Sequence, residues 1–420
     1  MSVTLGLVAG TIAMLALRMN LAAVLLVLAG AVHLIWGDGA LVYIVEDMWI
    51  AINKEVLLSI PLFLLCGAVM GRGQIALRLI EVMKAIAAPL PGGLAVATVL
   101  TCAVFAAVSG SSAVTLVTVG TIAYPALLRE GYSRVFAIGA LTAAGTLGVI
   151  IPPSVPMILY GIVTETSIVN LFIAGVLPGL LLTLLITFWT LFANRRMPRG
   201  RFDLAALGGA LKKGVLSLMM PVILLGGIYS GYFSPTEAAA VALAYALFVE
   251  VVIYRTIGWR DLREVGMDTV TMMGALFPLL AIALSLNLLL TTERAPQMLA
   301  AFMTETVESR VAFILMMNLL LLLVGCVMDM FSAIMVLGPI LQTVAAGYGI
   351  DPVHLGIIMT VNLEIGLLTP PVGIHLFIAM TAFREDFWTI VRGVLPFIAV
   401  MLVGLLVISF VPFLSLGLLG

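Results

Sequence analysis

Apolar residues fill this chain in long unbroken blocks. Runs without a single Asp, Glu, Lys or Arg cover 85–128, 135–164, 166–194, 214–236, 269–292 and 393–420. Such runs reach or exceed the ~20 residues that an α-helix needs to cross ~30 Å of hydrocarbon. Roughly a dozen hydrophobic segments follow, which predicts an all-α polytopic membrane protein packed as one membrane domain. The chain turns apolar by Val3, with no basic region or small-residue cleavage site before Arg18, so the start reads as a first span and not as a cleaved signal peptide.

Composition agrees. Of 420 residues, 63% are hydrophobic and 10% charged, whereas soluble domains are only about half apolar. Cys66, Cys102 and Cys326 lie singly inside apolar runs and the three His are scattered, so neither a disulfide framework nor a metal cluster is expected. A net charge of −1 gives no reason to expect nucleic acid as a partner.

Alternating the segments across a bilayer sorts the basic residues. Arg18, Arg72, Arg78, Lys84, Arg129, Arg134, the six of Arg195–Lys213, Arg255, Arg260, Arg263, Arg384 and Arg392 fall on one side, 17 of the 20 Lys and Arg. Only Lys54, Arg294 and Arg310 remain opposite, with Asp38, Glu46, Asp47, Glu165, Glu237, Glu293, Glu305, Glu308 and Asp351. The positive-inside rule makes the crowded side cytoplasmic and puts both termini in the periplasm.

Spaced identities recur at an offset of 217–218. Pro61 matches Pro278, Gly131 matches Gly349, Gly148 matches Gly366, and Pro152-Pro153 matches Pro370-Pro371. On the charge topology the span near Pro61 runs inward and its counterpart outward, so the repeats are inverted, as in many secondary transporters. The reading divides the chain into scaffold spans (1–60), a first repeat (61–193), a basic cytoplasmic loop (194–213), further scaffold spans (214–268), a second repeat (269–392) and a C-terminal span (393–420). The ~40-residue runs 85–128 and 311–350 fit either two spans or one re-entrant hairpin. The hairpin is preferred, with tips near 109–112 and 325–332, because a tip buried in protein gives polar residues at depth a use. Proline lacks an N–H and disfavours helix at the preceding residue, so Thr146–Ser154 and Gly366–Gly373 are expected to be unwound.

Unwound carbonyls and hydroxyls suit a hard cation such as Na⁺, and the inverted repeat suggests at least two sites. The first would draw on Ser109, Gly110, Ser111 and Ser112 with Gly145, Thr146, Gly148 and Pro152. The second would draw on Gly325 and Asp329 with Asn362, Gly366, Thr369 and Pro370. Helix N-termini at the same breaks offer free N–H groups to an anion, so Ser112, Pro153, Ser154 and Pro371 are substrate candidates, with Arg294 as a weaker external anchor. Ser and Gly also serve plain close packing in membranes. Asp329 stands out, because an unpaired carboxylate at depth costs at least ~2.5 kcal/mol. Glu165, Glu237 and Glu364 are secondary proton or ion ligands, while His33 and His375 read as packed or interfacial.

Four strings then carry a resemblance: Ser109-Gly-Ser-Ser-Ala, Gly145-Thr-Leu-Gly-Val-Ile-Ile-Pro-Pro-Ser, Gly231-Tyr-Phe-Ser-Pro-Thr-Glu-Ala-Ala-Ala and Gly366-Leu-Leu-Thr-Pro-Pro-Val-Gly. In that order they resemble the large, DctM-like membrane subunit of tripartite ATP-independent periplasmic (TRAP) transporters over almost the whole chain. The resemblance implies an elevator carrier of the ion-transporter superfamily in the bacterial inner membrane. It also implies Na⁺-coupled import of a carboxylate or sugar acid, such as a C4-dicarboxylate or sialic acid. The partners it implies are a small four-helix membrane subunit, expected to be separate here, and a periplasmic substrate-binding protein. The hairpin serines, Asp329 and the broken-helix strings match the family's Na⁺-site regions. Val149 departs from the Gly-Pro that members often carry. A stand-alone Na⁺/carboxylate symporter of the superfamily is the alternative; a channel would need a continuous polar pore and an enzyme a nucleophile–base pair, and neither is apparent.

Overall fold

The computed structural model describes residues 10, 14, 21–36, 42–292 and 294–419. Arg18, Asp38 and Glu293, and most of the first expected span, lie outside them. Among the described residues nine helices are long and apolar enough to cross a membrane, with shorter apolar helices between them. Helices α1 (Leu21–Trp36), α2 (Val42–Ile52) and α3 (Ser59–Arg72) precede an amphipathic helix, α4 (Ile75–Ala87).

Next comes a helical pair, α5 (Gly93–Ser109) and α6 (Ser112–Arg129). With 17 residues, α5 is about 25 Å long, at the short end of what a span needs. Its two ends settle the geometry. At the open end the Ala95 N–H donates to Tyr132 Oη at 3.4 Å, next to the Lys84–Glu130 ion pair. At the closed end Gly110 takes φ 59°, a left-handed conformation that a side chain would strain. The run 85–128 is therefore a re-entrant hairpin. The run 311–350 repeats it with α15 (Arg310–Val327) and α16 (Met330–Ala346). Its open end is fastened by Tyr348, whose ring stacks on Phe313 and whose hydroxyl donates to the Met303 and Val307 carbonyls.

Two interrupted helices complete the repeats. The first is α7 (Arg134–Gly145), α8 (Leu147–Ile150) and α9 (Val155–Thr164); the second is α17 (Pro352–Leu367) and α18 (Ile374–Phe383). The breaks are shorter than the sequence suggests. In the first, helix is interrupted by a turn at Thr146 and then persists to Ile150, and in the second it persists to Leu367, leaving Thr146, 151–154 and 368–373 outside helix, because a proline constrains chiefly the residue before it.

The remaining helices are α10 (Ile168–Ala193), α11 (Leu204–Tyr229), α12 (Pro235–Leu247), α13 (Trp259–Thr292), α14 (Ala295–Thr306), α19 (Phe387–Phe410) and α20 (Phe413–Leu416). One helix, α13, runs without interruption through the boundary drawn at residue 269, since its polar first turns are as helical as the apolar span they lead into. It packs on α1, α2 and α3, while α12 packs on α3 and α11, and α10 and α19 lie against the repeats.

Arg72 pairs with Glu264 and Asp268, Lys84 with Glu130, and Arg134 with Glu385, all on one face. Asp47, Lys54 and Glu165 gather around one cavity at the other. The second hairpin opens on the Glu165 side, where the Gln342 amide donates to the Thr164 carbonyl.

Candidate functional site

Each hairpin tip is bonded to the break of its own repeat. Val155 N–H donates to the Gly110 carbonyl at 3.3 Å, and Gly373 N–H donates to the Cys326 carbonyl at 3.1 Å. Glycines permit the approach. A Cβ on Gly148 would stand 2.6 Å from the Ser111 carbonyl oxygen and from Thr115 Oγ1, and one on Gly366 would stand 2.7 Å from Gly325 Cα.

At the first tip the oxygens converge. Ser109 Oγ is 2.8 Å from Thr115 Oγ1, which donates to the Ser111 carbonyl at 2.9 Å. Ser111 Oγ caps α6, Ser154 Oγ caps α9, and Thr146 Oγ1 donates to the Ala143 carbonyl. Ser109, Thr115, Thr146 and Ser154 are fully buried. Thr115 was absent from the sequence reading; it lies one helical turn beyond Ser111, a spacing that could have found it.

At the second tip Asp329 is the N-cap of α16. One carboxylate oxygen accepts from Ser332 N–H at 2.9 Å and the other from the Ser332 hydroxyl. Its charge thus faces a helix N-terminus, which lowers the cost of holding it at depth. Thr369 Oγ1 donates to the Ile365 carbonyl at the break. Asn362 sits apart from the tip: its amide donates to the Asn318 carbonyl and Oδ1, about two turns along α15 from Gly325. Its Oδ1 is buried without a donor.

The other candidates separate. Arg294 is exposed at the N-cap of α14. Glu237 closes a capping box with Ser234 on α12. Glu165 lines a cavity of about 380 Å³ with Asp47, Lys54, Gln342 and Thr343, between α2 and α13 on one side and α9 and α16 on the other. Glu364, a secondary ligand in the sequence, and His375, read there as packed or interfacial, meet at the first tip. His375 Nε2 is 2.9 Å from Ser112 Oγ at the first tip, and Nδ1 is 3.2 Å from Glu364 Oε1.

Among the described residues no three His, Cys, Asp or Glu cluster as for a transition metal. Hydroxyls and carbonyls with few formal charges suit a weakly held hard cation and an anion at helix N-termini.

This geometry meets its relatives in sequence. The family described as "Tripartite ATP-independent periplasmic transporter, DctM component" matches residues 8–414. The chain belongs to that family. A C4-dicarboxylate TRAP transporter large permease protein of Pseudomonas aeruginosa is 42% identical over 86% of each chain. The isethionate TRAP transporter permease protein DctMQ of Oleidesulfovibrio alaskensis is 36% identical over 88% of this chain and 59% of that longer one. In fold, the chain is similar to the Alcanivorax borkumensis YdaH transporter, with TM-score 0.64 at 15% identity, covering 89% of this chain and 88% of the other. As a DctM-family member it is a multi-pass TRAP transporter permease.

Asp329→Asn in this DctM-family chain keeps the volume and one capping acceptor while removing the charge. Its expected result is at least a tenfold rise in the Na⁺ concentration for half-maximal uptake, with thermal unfolding shifted by less than about 1 kcal/mol. Unchanged Na⁺ dependence makes Asp329 a cap and nothing more.

Proposed function

We propose that this permease couples the uptake of a small organic anion to Na⁺ and receives that anion from a periplasmic binding protein. The observation that carries the reading is the convergence of buried, mostly uncharged oxygens where each hairpin tip is bonded to its helix break. Such sites hold Na⁺ loosely enough to release it, and two related by the repeat allow more than one ion per cycle. Ser109, Ser111, Thr115 and the first break would serve one, Asp329, Thr369 and the second break the other. Ser112, Pro153, Ser154 and Pro371 would face the substrate.

The names of the relatives support the substrate class, since a C4-dicarboxylate and isethionate are both small anions. The hairpins and breaks would move as one body against α1–α3 and α11–α13, an elevator motion, with the cavity beside Lys54 as the outer approach. The crowded basic face would be cytoplasmic and the membrane the bacterial inner membrane.

Reconstituted vesicles test this. The chain alone is expected to give less than about a tenth of the Na⁺-driven uptake reached with the small four-helix subunit and loaded binding protein. Robust accumulation by the chain alone would promote the stand-alone symporter, and uptake indifferent to Na⁺ would end the coupling.

A further inference from the structure

We propose that His375 is a positioning residue that couples the two inverted repeats, by tying the first hairpin tip to both arms of the second broken helix. The inference rests on the transport reading above.

Three segments meet at this imidazole. Ser112, at the start of α6, belongs to the first repeat; Glu364, near the end of α17, stands before the second break; His375, at the start of α18, stands after it. The three side chains are 6%, 0% and 3% exposed. The ring therefore spans the break on one side and reaches the tip of the other repeat by a side-chain bond across 263 positions.

A purely structural histidine would leave its neighbours satisfied, as buried polar groups almost always are. Here His375 Nδ1 and Glu364 Oε1 are buried 3.2 Å apart without an aligned hydrogen bond between them, while the Glu364 carboxyl is also within reach of the Ser112 hydroxyl that Nε2 contacts. The arrangement is poised, not optimised: a small rotation of α18 against α17 makes or breaks the alignment, and the same rotation moves Nε2 against Ser112. Displacement at the first tip thus reaches the second break through one rigid ring.

The relay exists in one direction only. Positions 217–218 earlier than Glu364 and His375 hold Thr146-Leu147 and Met157-Ile158, which cannot reproduce it. The repeats share a backbone plan, and this link is the asymmetry between them.

The test uses the purified chain, with its thermal unfolding followed against Na⁺ concentration, and then uptake with both partner proteins. Wild type is expected to respond with a Hill coefficient approaching about 2, and Ser112→Ala and His375→Leu with about 1. In uptake each variant should raise the half-saturating Na⁺ about tenfold, and the double variant no further than either single one. His375→Gln, whose amide can still donate to Ser112, should restore most of the cooperativity. Independent, multiplying effects of the two substitutions, or cooperativity retained in His375→Leu, overturn the inference while leaving Na⁺-coupled transport standing. A wild type without any Na⁺ response overturns both.

Discussion

Gly366→Ala should lower the stability of the purified chain by about 1–3 kcal/mol and reduce uptake at least tenfold. The new Cβ would meet Gly325 Cα at 2.7 Å and its carbonyl carbon at 2.8 Å. These are backbone atoms, so no rotamer change relieves the clash. α15 must move away from α17, and the Gly373 N–H to Cys326 carbonyl bond that joins tip to break lies on the same seam. Small residues let helices approach this closely in membranes, where packing replaces the hydrophobic drive between helices. Gly325→Ala should behave alike, since its Cβ would stand 2.9 Å from the Leu363 carbonyl oxygen, and the double variant should cost less than the sum, because one separation accommodates both. Thermal unfolding and uptake on the same preparations check this; a Gly366→Ala chain with wild-type uptake would falsify the close seam.

Glu250→Ala is expected to be the most destabilising change on the basic face, by about 3–5 kcal/mol. Glu250 lies in the π-helical turn Phe248–Ile253 that continues α12, and it is fully buried. Its carboxylate accepts from the Gln74 and Ile75 N–H groups at 2.9 and 2.7 Å and from Thr256 Oγ1 at 2.7 Å, capping α4 from a distant element. It occupies the space that a Cβ on Gly73 would fill, at 1.9 Å from its carboxyl carbon. Truncation leaves the buried Ile75 N–H and the half-buried Gln74 N–H unpaired and frees the Thr256 hydroxyl, whereas Glu250→Gln keeps one acceptor oxygen and should cost roughly half as much. A thermal shift of Glu250→Ala within error of wild type removes the clamp from the account.

Much of the candidate site was readable from a single chain, for reasons particular to each residue. Ser109–Ser112 and the two Pro-Pro strings were visible because polar or helix-breaking residues in a lipid-compatible run have few other uses. Asp329 was visible as a lone charge in an apolar run, but not that it caps its own helix with Ser332 three residues on. Glu364 and His375 were legible only as isolated polar residues. Nothing in their spacing places the ring beside Ser112, since that contact joins opposite repeats. Asn362 was assigned to the second tip by proximity in sequence to the break, yet its helical phase turns it to Asn318.

By itself, then, the sequence determined the all-helical membrane class, the two repeats, the segregation of basic residues and the places where helices stop. Each of these follows from hydrocarbon thickness, backbone hydrogen bonding or charge, properties that act locally along the chain. Only the tertiary structure decided that the 40-residue runs are hairpins and that each tip is bonded to its own break. It alone brought Glu250 to the start of α4 and made His375 the contact between repeats. Those outcomes depend on which helices touch, and two segments with the same apolar run and the same length can satisfy the bilayer equally well in either arrangement. The physical reason is that lipid fixes how much of a helix must be covered by apolar atoms but not by which neighbour; close packing and buried hydrogen bonds between distant residues make that choice.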